Sequence, residues 1–202
     1  MYKGQAGAIE RPIAFENNDR PGIMLGSAIR TYANRFAVAA DKSVAIFTNN
    51  DDGHRTAADL HAKGLKIAAV VDVRADAPQS INFEVLHGQV VDTRGRIGLT
   101  FADIKLSDGT IRTLNIGALG ISGGWNPNVH MTCHLRGRPT WNENLAAFVP
   151  GSILPNGMIV AGAANGNMST AGALHGGAQA ARRVLGLKGS MPKLPAAEDA
   201  PI

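Results

Sequence analysis

The chain has 202 residues, 45% of them hydrophobic, with a net charge of +4 and a pI near 9.5, enough to bury a core in one or two small domains. Lys and Arg are scattered and aromatics make up only 5%, so the basic, ring-interleaved surface of a nucleic-acid binder is excluded. No apolar run reaches the length of a membrane span, no secretory signal is visible, and the single cysteine, Cys133, excludes an internal disulfide and suits a reducing cytoplasm.

Met1 to Gln5 reads as an abrupt cut end, followed by Ala6-Gly7-Ala8 and the short apolar segment Ile13-Ala14-Phe15. Asn17 to Gly22 (NNDRPG) has turn composition. Leu25, Ile29, Tyr32 and Phe36 recur by four, three and four, which predicts an amphipathic helix over Leu25–Phe36.

Ser43 to Arg74 is the stretch around which the rest is organised. Val44-Ala45-Ile46-Phe47 and Ile67 to Val73 are uninterrupted apolar runs, the pattern of strands buried on both faces in a parallel sheet. Ala57, Leu60 and Gly64 lie between them at helical spacing, so the unit reads as a right-handed strand–helix–strand crossover. Asp72 stands where a dinucleotide fold carries its ribose-binding acid. The turn, however, reads Thr48-Asn49-Asn50-Asp51-Asp52-Gly53 against G-x-G-x-x-G. Only Gly53 keeps its glycine, the one used for helix–strand packing. Asp51 and Asp52 place two negative charges where a phosphate needs positive potential. Two such charges about 4 Å apart repel by roughly 4 kcal/mol at an effective dielectric near 20. Asp52 suits an N-cap instead. The nucleotide site of this unit is expected to be dead.

Beyond it, Asn82–Leu86, Gln89–Asp92, Ile97–Leu106 and Thr110–Leu114 read as an antiparallel meander, with turns at Thr93–Arg96 and Ser107–Thr110. Asn115 to Ser122 predicts a strand rejoining the main sheet, ended by Gly123-Gly124. Pro127, Pro139, Pro150 and Pro155 forbid long helices in the next segment. Met158 to Ala163 predicts a last buried strand, leading through Ala164-Asn165-Gly166-Asn167-Met168 to a helix from near Ser169. Ala171, Leu174, Ala178, Ala181 and Leu185 would face inward, and Gly172, Gly176 and Gly177 would admit another backbone or a ligand. Residues 188–202 are Pro/Ala-rich and expected to be a disordered tail.

The loop and helix start from Gly162 to Thr170 offer backbone N–H groups and a positive dipole end to an anion, with Ser169 and Thr170 as hydroxyl donors. Ser169 or Asn167 reads equally well as an ordinary cap. His130, Cys133 and His134 have a spacing that can converge on a metal, but no second ligand cluster accompanies them, and a structural role is expected. Trp125 and Trp141 read as core or interface aromatics. No catalytic triad or carboxylate pair can be picked out.

Ala6 to Phe15 (AGAIERPIAF), Asn17 to Gly22, Phe47 to Asp51 (FTNND), Ser122 to Pro127 (SGGWNP) and Ala161 to Gly166 (AGAANG) together resemble the α subunit of heterotetrameric sarcosine oxidase. The resemblance runs from about residue 6 to 187. It implies an α/β dinucleotide-binding (Rossmann-like) parallel sheet with an antiparallel three-stranded insertion, an incomplete version of a two-dinucleotide-binding-domain flavoprotein. The segmentation it implies is a connecting segment and helix (1–40), a degenerate dinucleotide-fold domain with its meander (41–122), a return to the first nucleotide domain (123–187) and the tail. By resemblance Gly7 and Ala8 close over a nucleotide. Gly162 and Ala163 match a Gly-Asp pair that grips the FAD ribitol; with Ala163 in place of the acid, NAD is the better fit. Ala164, Asn165, Gly166, Ser169 and Thr170 would face its diphosphate. The parent activity implied is oxidative demethylation of sarcosine or a related N-methyl amino acid. FAD and FMN would be held with other subunits, and this segment, without catalytic or metal-ligating residues of its own, would supply part of an NAD site and subunit contacts. A non-catalytic scaffold module that binds subunits and no nucleotide is the competing expectation.

Overall fold

A computed structural model describes residue 4 and residues 6–196. Met1, Tyr2, Lys3, Gln5 and residues 197–202 lie outside it, and with them most of the expected cut end and the last part of the expected tail. The chain divides into two compact units. One is Glu10–Gly124; the other joins the described residues up to Ile9 with those from Trp125 onward. Strand β1 (Ala8–Glu10) runs from one into the other.

The Glu10–Gly124 unit is built on β2 (Ile23–Leu25), α1 (Gly26–Phe36), β3 (Ser43–Thr48), α2 (Asp51–Ala62), β4 (Lys66–Asp72), β5 (Val85–Arg94), β6 (Phe101–Leu106), β7 (Ile111–Asn115) and β8 (Ala118–Ser122). They form one seven-stranded sheet in the order β2-β8-β3-β4-β5-β6-β7. Pairing is parallel from β2 to β5 and antiparallel from β5 to β7. The expected crossover, parallel sheet and three-stranded antiparallel insertion are therefore all present.

The uninterrupted apolar runs follow from burial on both faces. Alternate residues of a strand point opposite ways. Val44 and Ile46 pack with Ile29 of α1 and Ala57 and Leu60 of α2. Ala45 and Phe47 pack with Val90, Ala102, Ile104 and Leu114 of the antiparallel strands. Ile13 and Phe15 seal that second face, Phe15 meeting Phe47 edge to face at 5.9 Å.

Several expectations are corrected. Asn82–Leu86 and Gln89–Asp92 are not two strands: Val85 to Arg94 is one strand, with a register shift between Val90 and Asp92. Gly88 lies inside it, where a Cβ would run into the Lys105 carbonyl oxygen. Gly64 is past the end of α2, in the left-handed conformation of a helix stop (φ +84). Strand β2 was too short to show a pattern. On α1 only part of the expected face is inside: Ile29 is buried, but Tyr32 and Phe36 are 47% and 57% exposed. Their rings meet each other at 6.1 Å, with the Arg35 guanidinium over Phe36.

From Trp125 to Pro155 the other unit is made of short pieces, as its prolines require. Strand β9 (Trp125–Pro127) pairs with β1, and β10 (Thr140–Asn142) pairs with β11 (Ala147–Val149). Across that hairpin Trp141 stands opposite Phe148, their ring centres 5.2 Å apart. The expected last strand, Met158 to Ala163, does not form: Met158 to Ala161 carries no ladder, and Gly162 and Ala163 open a 3₁₀ turn. Helix α3 (Thr170–Leu185) does form, with Ser169 as N-cap. It buries none of its residues, so the expected inward face of Ala171, Leu174, Ala178, Ala181 and Leu185 meets no core among the described residues. Among the described residues no helix is long and apolar enough to cross a membrane.

Candidate functional site

The positions expected to meet a nucleotide fall in two places, one in each unit, and these differ in what fills them. In Glu10–Gly124 the crevice opens at the carboxyl ends of β3 and β8, where the strand order reverses and open α/β sheets bind ligands. Here it is laced shut. The Asn49 N–H donates to the Ser122 carbonyl (3.3 Å), and the Asn50 side-chain amide donates to the same oxygen (3.0 Å). Asn50 is also the true N-cap of α2: its Oδ1 accepts the Asp52 N–H at 3.0 Å. The cap expected at Asp52 lies two residues earlier, because Asn50 is the residue still in extended conformation (φ −153). Gly53 behaves as expected, since a Cβ there would collide with the Thr48 side chain.

The two acids of the turn do not stand uncompensated. Asp51 Oδ1 accepts from Arg74 Nη2 at 2.7 Å, and Asp52 pairs with Arg55 at 3.6 Å. Arg74 also holds Asp72, through Nη2 at 2.9 Å and its own backbone N–H at 2.9 Å. His54, on the first turn of α2, completes the group with Nε2 at 2.7 Å from Asp72 Oδ2. Because an ionised carboxylate only accepts, Nε2 carries the proton. The Asp72 side chain is wholly enclosed. Burial alone would raise its pKa, but hydrogen bonds from His54 and Arg74 outweigh that and hold it down at about 2. The bond to Asp72 leads the causes that keep the Arg74 guanidinium firmly protonated, with burial opposing and Asp51 adding. The acid expected to hold a ribose is thus saturated by the chain's own side chains. The sequence signal was present: Asp51 and His54 share a helical face at i and i+3, and Arg74 follows Asp72 by two.

In the other unit the remaining predicted positions fall in two stretches, Gly7-Ala8 and Gly162–Thr170. Gly7 is left-handed (φ +66), with nothing within 4 Å of the place a Cβ would take. Ala8 opens β1, which pairs with β9. Gly162, Ala163, Ala164 and Asn165 form one 3₁₀ turn that packs on β9 and on α3. Gly162 and Gly166 are both left-handed. Ser169 Oγ accepts the Gly172 N–H at 3.0 Å, so one donor of the helix start is already taken. A Cβ at Gly176 would meet the Asn167 side-chain amide at 3.4 Å, in ordinary contact. None of these nine positions carries a charged side chain, so any ligand would be held by backbone N–H groups, the Ser169 and Thr170 hydroxyls and the Asn165 amide. That donor set suits a diphosphate or ribose.

His130, Cys133 and His134 do not converge. The segment His130–Arg136 is 3₁₀ and loses helical geometry at His134 and Leu135, and the Cys133 thiol donates to the Val129 carbonyl. Among the described residues no three His, Cys, Asp or Glu side chains gather into a metal-binding group.

No protein-family model matches the chain. It is 37% identical over 183 residues to the sarcosine oxidase subunit alpha of Rhizobium meliloti (strain 1021), a match covering 89% of this chain and 18% of that protein. It is 39% identical over 185 residues to the subunit alpha of Corynebacterium sp. (strain U-96), covering 85% of this chain and 19% of that one. In fold it is similar to L-proline dehydrogenase from P. horikoshii, with TM-score 0.66 and 19% identity, covering 91% of this chain and 34% of that one. It is similar too to T. acidophilum thioredoxin reductase, with TM-score 0.69 and 14% identity, covering 89% of this chain and 63% of that one. The chain is therefore similar to a segment of the sarcosine oxidase α subunit, as its motifs implied, and spans about a fifth of the length of those relatives.

Proposed function

We propose that this chain acts as the central part of a sarcosine oxidase α-like subunit, an oxidoreductase that oxidatively demethylates sarcosine or a related N-methyl amino acid. Its own contribution is part of an NAD site together with contacts to other subunits. The observation that carries the reading is the contrast between the two cradles. Asp51, Asp72, Arg74 and His54 satisfy one another in the first. In the second, Gly7 faces open space.

The residues that would hold the nucleotide are Gly7 and Ala8 on one side and Gly162, Ala163, Ala164, Asn165, Gly166, Ser169 and Thr170 on the other. A small-residue loop lets the ligand approach backbone donors closely, and the α3 dipole favours a diphosphate at its start. Ala163 offers no carboxylate for a ribitol, which favours NAD over FAD. A bound NAD would supply a nicotinamide able to accept or give a hydride; FAD and FMN belong to the rest of the complex.

Calorimetric titration with NAD tests this, on the chain alone and mixed with the remainder of a parent α subunit. Saturable heat in either arm supports the reading. No heat in both arms favours the second reading, a scaffold module without nucleotide, for which the filled Asp72 cradle and the unburied α3 speak.

A further inference from the structure

Two successive carbonyl groups in the candidate nucleotide segment are turned toward one residue outside it. The Ala6 carbonyl accepts the Asn128 side-chain amide at 2.6 Å, and the Gly7 carbonyl accepts the Asn128 backbone N–H at 3.0 Å. A trans peptide points its N–H opposite to its C=O. With both carbonyls facing Asn128, the N–H groups of Gly7 and Ala8 point to the opposite side. Gly7 itself is exposed, with nothing within 4 Å of the place a Cβ would take, and its left-handed conformation makes the bend. Asn128 directly follows Pro127, the last residue of β9, against which the Gly162–Asn165 turn packs. One short strand therefore carries both the clamp on the first half of the candidate site and the support of the second.

We infer that Asn128 is a positioning residue that shapes Ala6-Gly7-Ala8 and aims the Gly7 and Ala8 N–H groups as a donor pair for an acceptor oxygen of a phosphate or ribose. The use of the pair rests on the nucleotide reading above; the clamp itself does not. The side-chain amide does what backbone pairing cannot, because it reaches the Ala6 carbonyl one residue beyond the ladder. An acid of the same shape loses that donor and sets a carboxylate against a carbonyl oxygen.

The test compares Asn128→Leu and Asn128→Asp with the unaltered chain by two readouts, with Trp141 fluorescence as the check that the surrounding unit is folded. The first is the Gly7 amide three-bond coupling and the hydrogen exchange of the residue-128 amide, both without ligand. Both variants are expected to relax Gly7 toward an averaged conformation and to speed exchange of the residue-128 amide, which is bonded to the Gly7 carbonyl in the unaltered chain. The second is NAD titration, where loss of one oriented donor is expected to weaken binding about tenfold. Unchanged Gly7 coupling and exchange in both variants would overturn the inference, as would a relaxed Gly7 with undiminished NAD affinity. If the unaltered chain binds no NAD but Gly7 still relaxes in the variants, the clamp stands and the nucleotide reading falls.

Discussion

The Nε2 atom of His54 lies 2.7 Å from Oδ2 of Asp72, a carboxylate with no exposed side-chain surface. With Arg74 on its other side, this acid is committed to the fold, and its energetics are those of a paired buried charge. Its carboxyl titrates at about 2 in the folded chain and at the ordinary 3.8 when unfolded. The depressed value contributes stability that is fully present above pH ~4 and lost as the pH falls toward 2, on the order of 2 kcal/mol in all. Replacing Asp72 by Asn should flatten that acid limb and cost about 3 kcal/mol at neutral pH, because His54 loses its anion and Arg74 keeps only Asp51. Urea midpoints from pH 2 to 7 measure both; parallel profiles for the two proteins would contradict the assignment.

Gly53→Ala should destabilise the Glu10–Gly124 unit by roughly 1–3 kcal/mol, since the added methyl overlaps the Thr48 side chain. A double-mutant cycle with Thr48→Gly identifies the cause. The two changes should couple favourably in thermal unfolding, whereas simple additivity would place the strain elsewhere.

Asn50 both caps α2 and bridges to Ser122. Asn50→Ala should therefore cost about 2 kcal/mol, roughly half from each role. Asn50→Asp keeps the cap acceptor but loses the bridging donor, and should fall between. Chemical denaturation of the three proteins gives the order directly.

Helix α1 has no side-chain cap of its own and no acid in its first turn. Glu10 supplies both from a distant part of the chain: it is 4% exposed and its Oε2 accepts the Ser27 N–H at 2.9 Å. Glu10→Ala should lower stability by about 1–2 kcal/mol, with Glu10→Gln retaining the acceptor and part of the loss recovered. A drop in helical circular dichroism at an intermediate urea concentration should accompany the Ala change and not the Gln one.

The crossover was legible because Val44–Phe47 and the run from Ile67 are apolar at every position, a pattern that only two-sided burial explains. The degenerate turn was legible too, since a phosphate cradle needs glycines that Thr48 and Asn50 are not. What filled it was harder to read. Asp51 and Asp52 looked mutually repulsive because Arg74 and Arg55 become their partners only after the helix and strand are placed. The choice of cap among Asn49, Asn50, Asp51 and Asp52 is one of backbone conformation, and all four side chains qualify chemically. Met158 to Val160 failed as a strand for another reason: hydrophobicity is local, but a ladder needs a neighbour. The clamp by Asn128 joins positions more than a hundred residues apart, and no spacing rule reaches that far.

Strand β8 inserts between β2 and β3, which precede it by most of the unit. Until it arrives, Ile23–Leu25 has no ladder partner, and α1 lacks one of the elements it packs on. On the ribosome the Glu10–Gly124 unit must wait: its last strand to be made is inserted between two that were made earlier. Slow maturation and sensitivity to early truncation are built into its strand order.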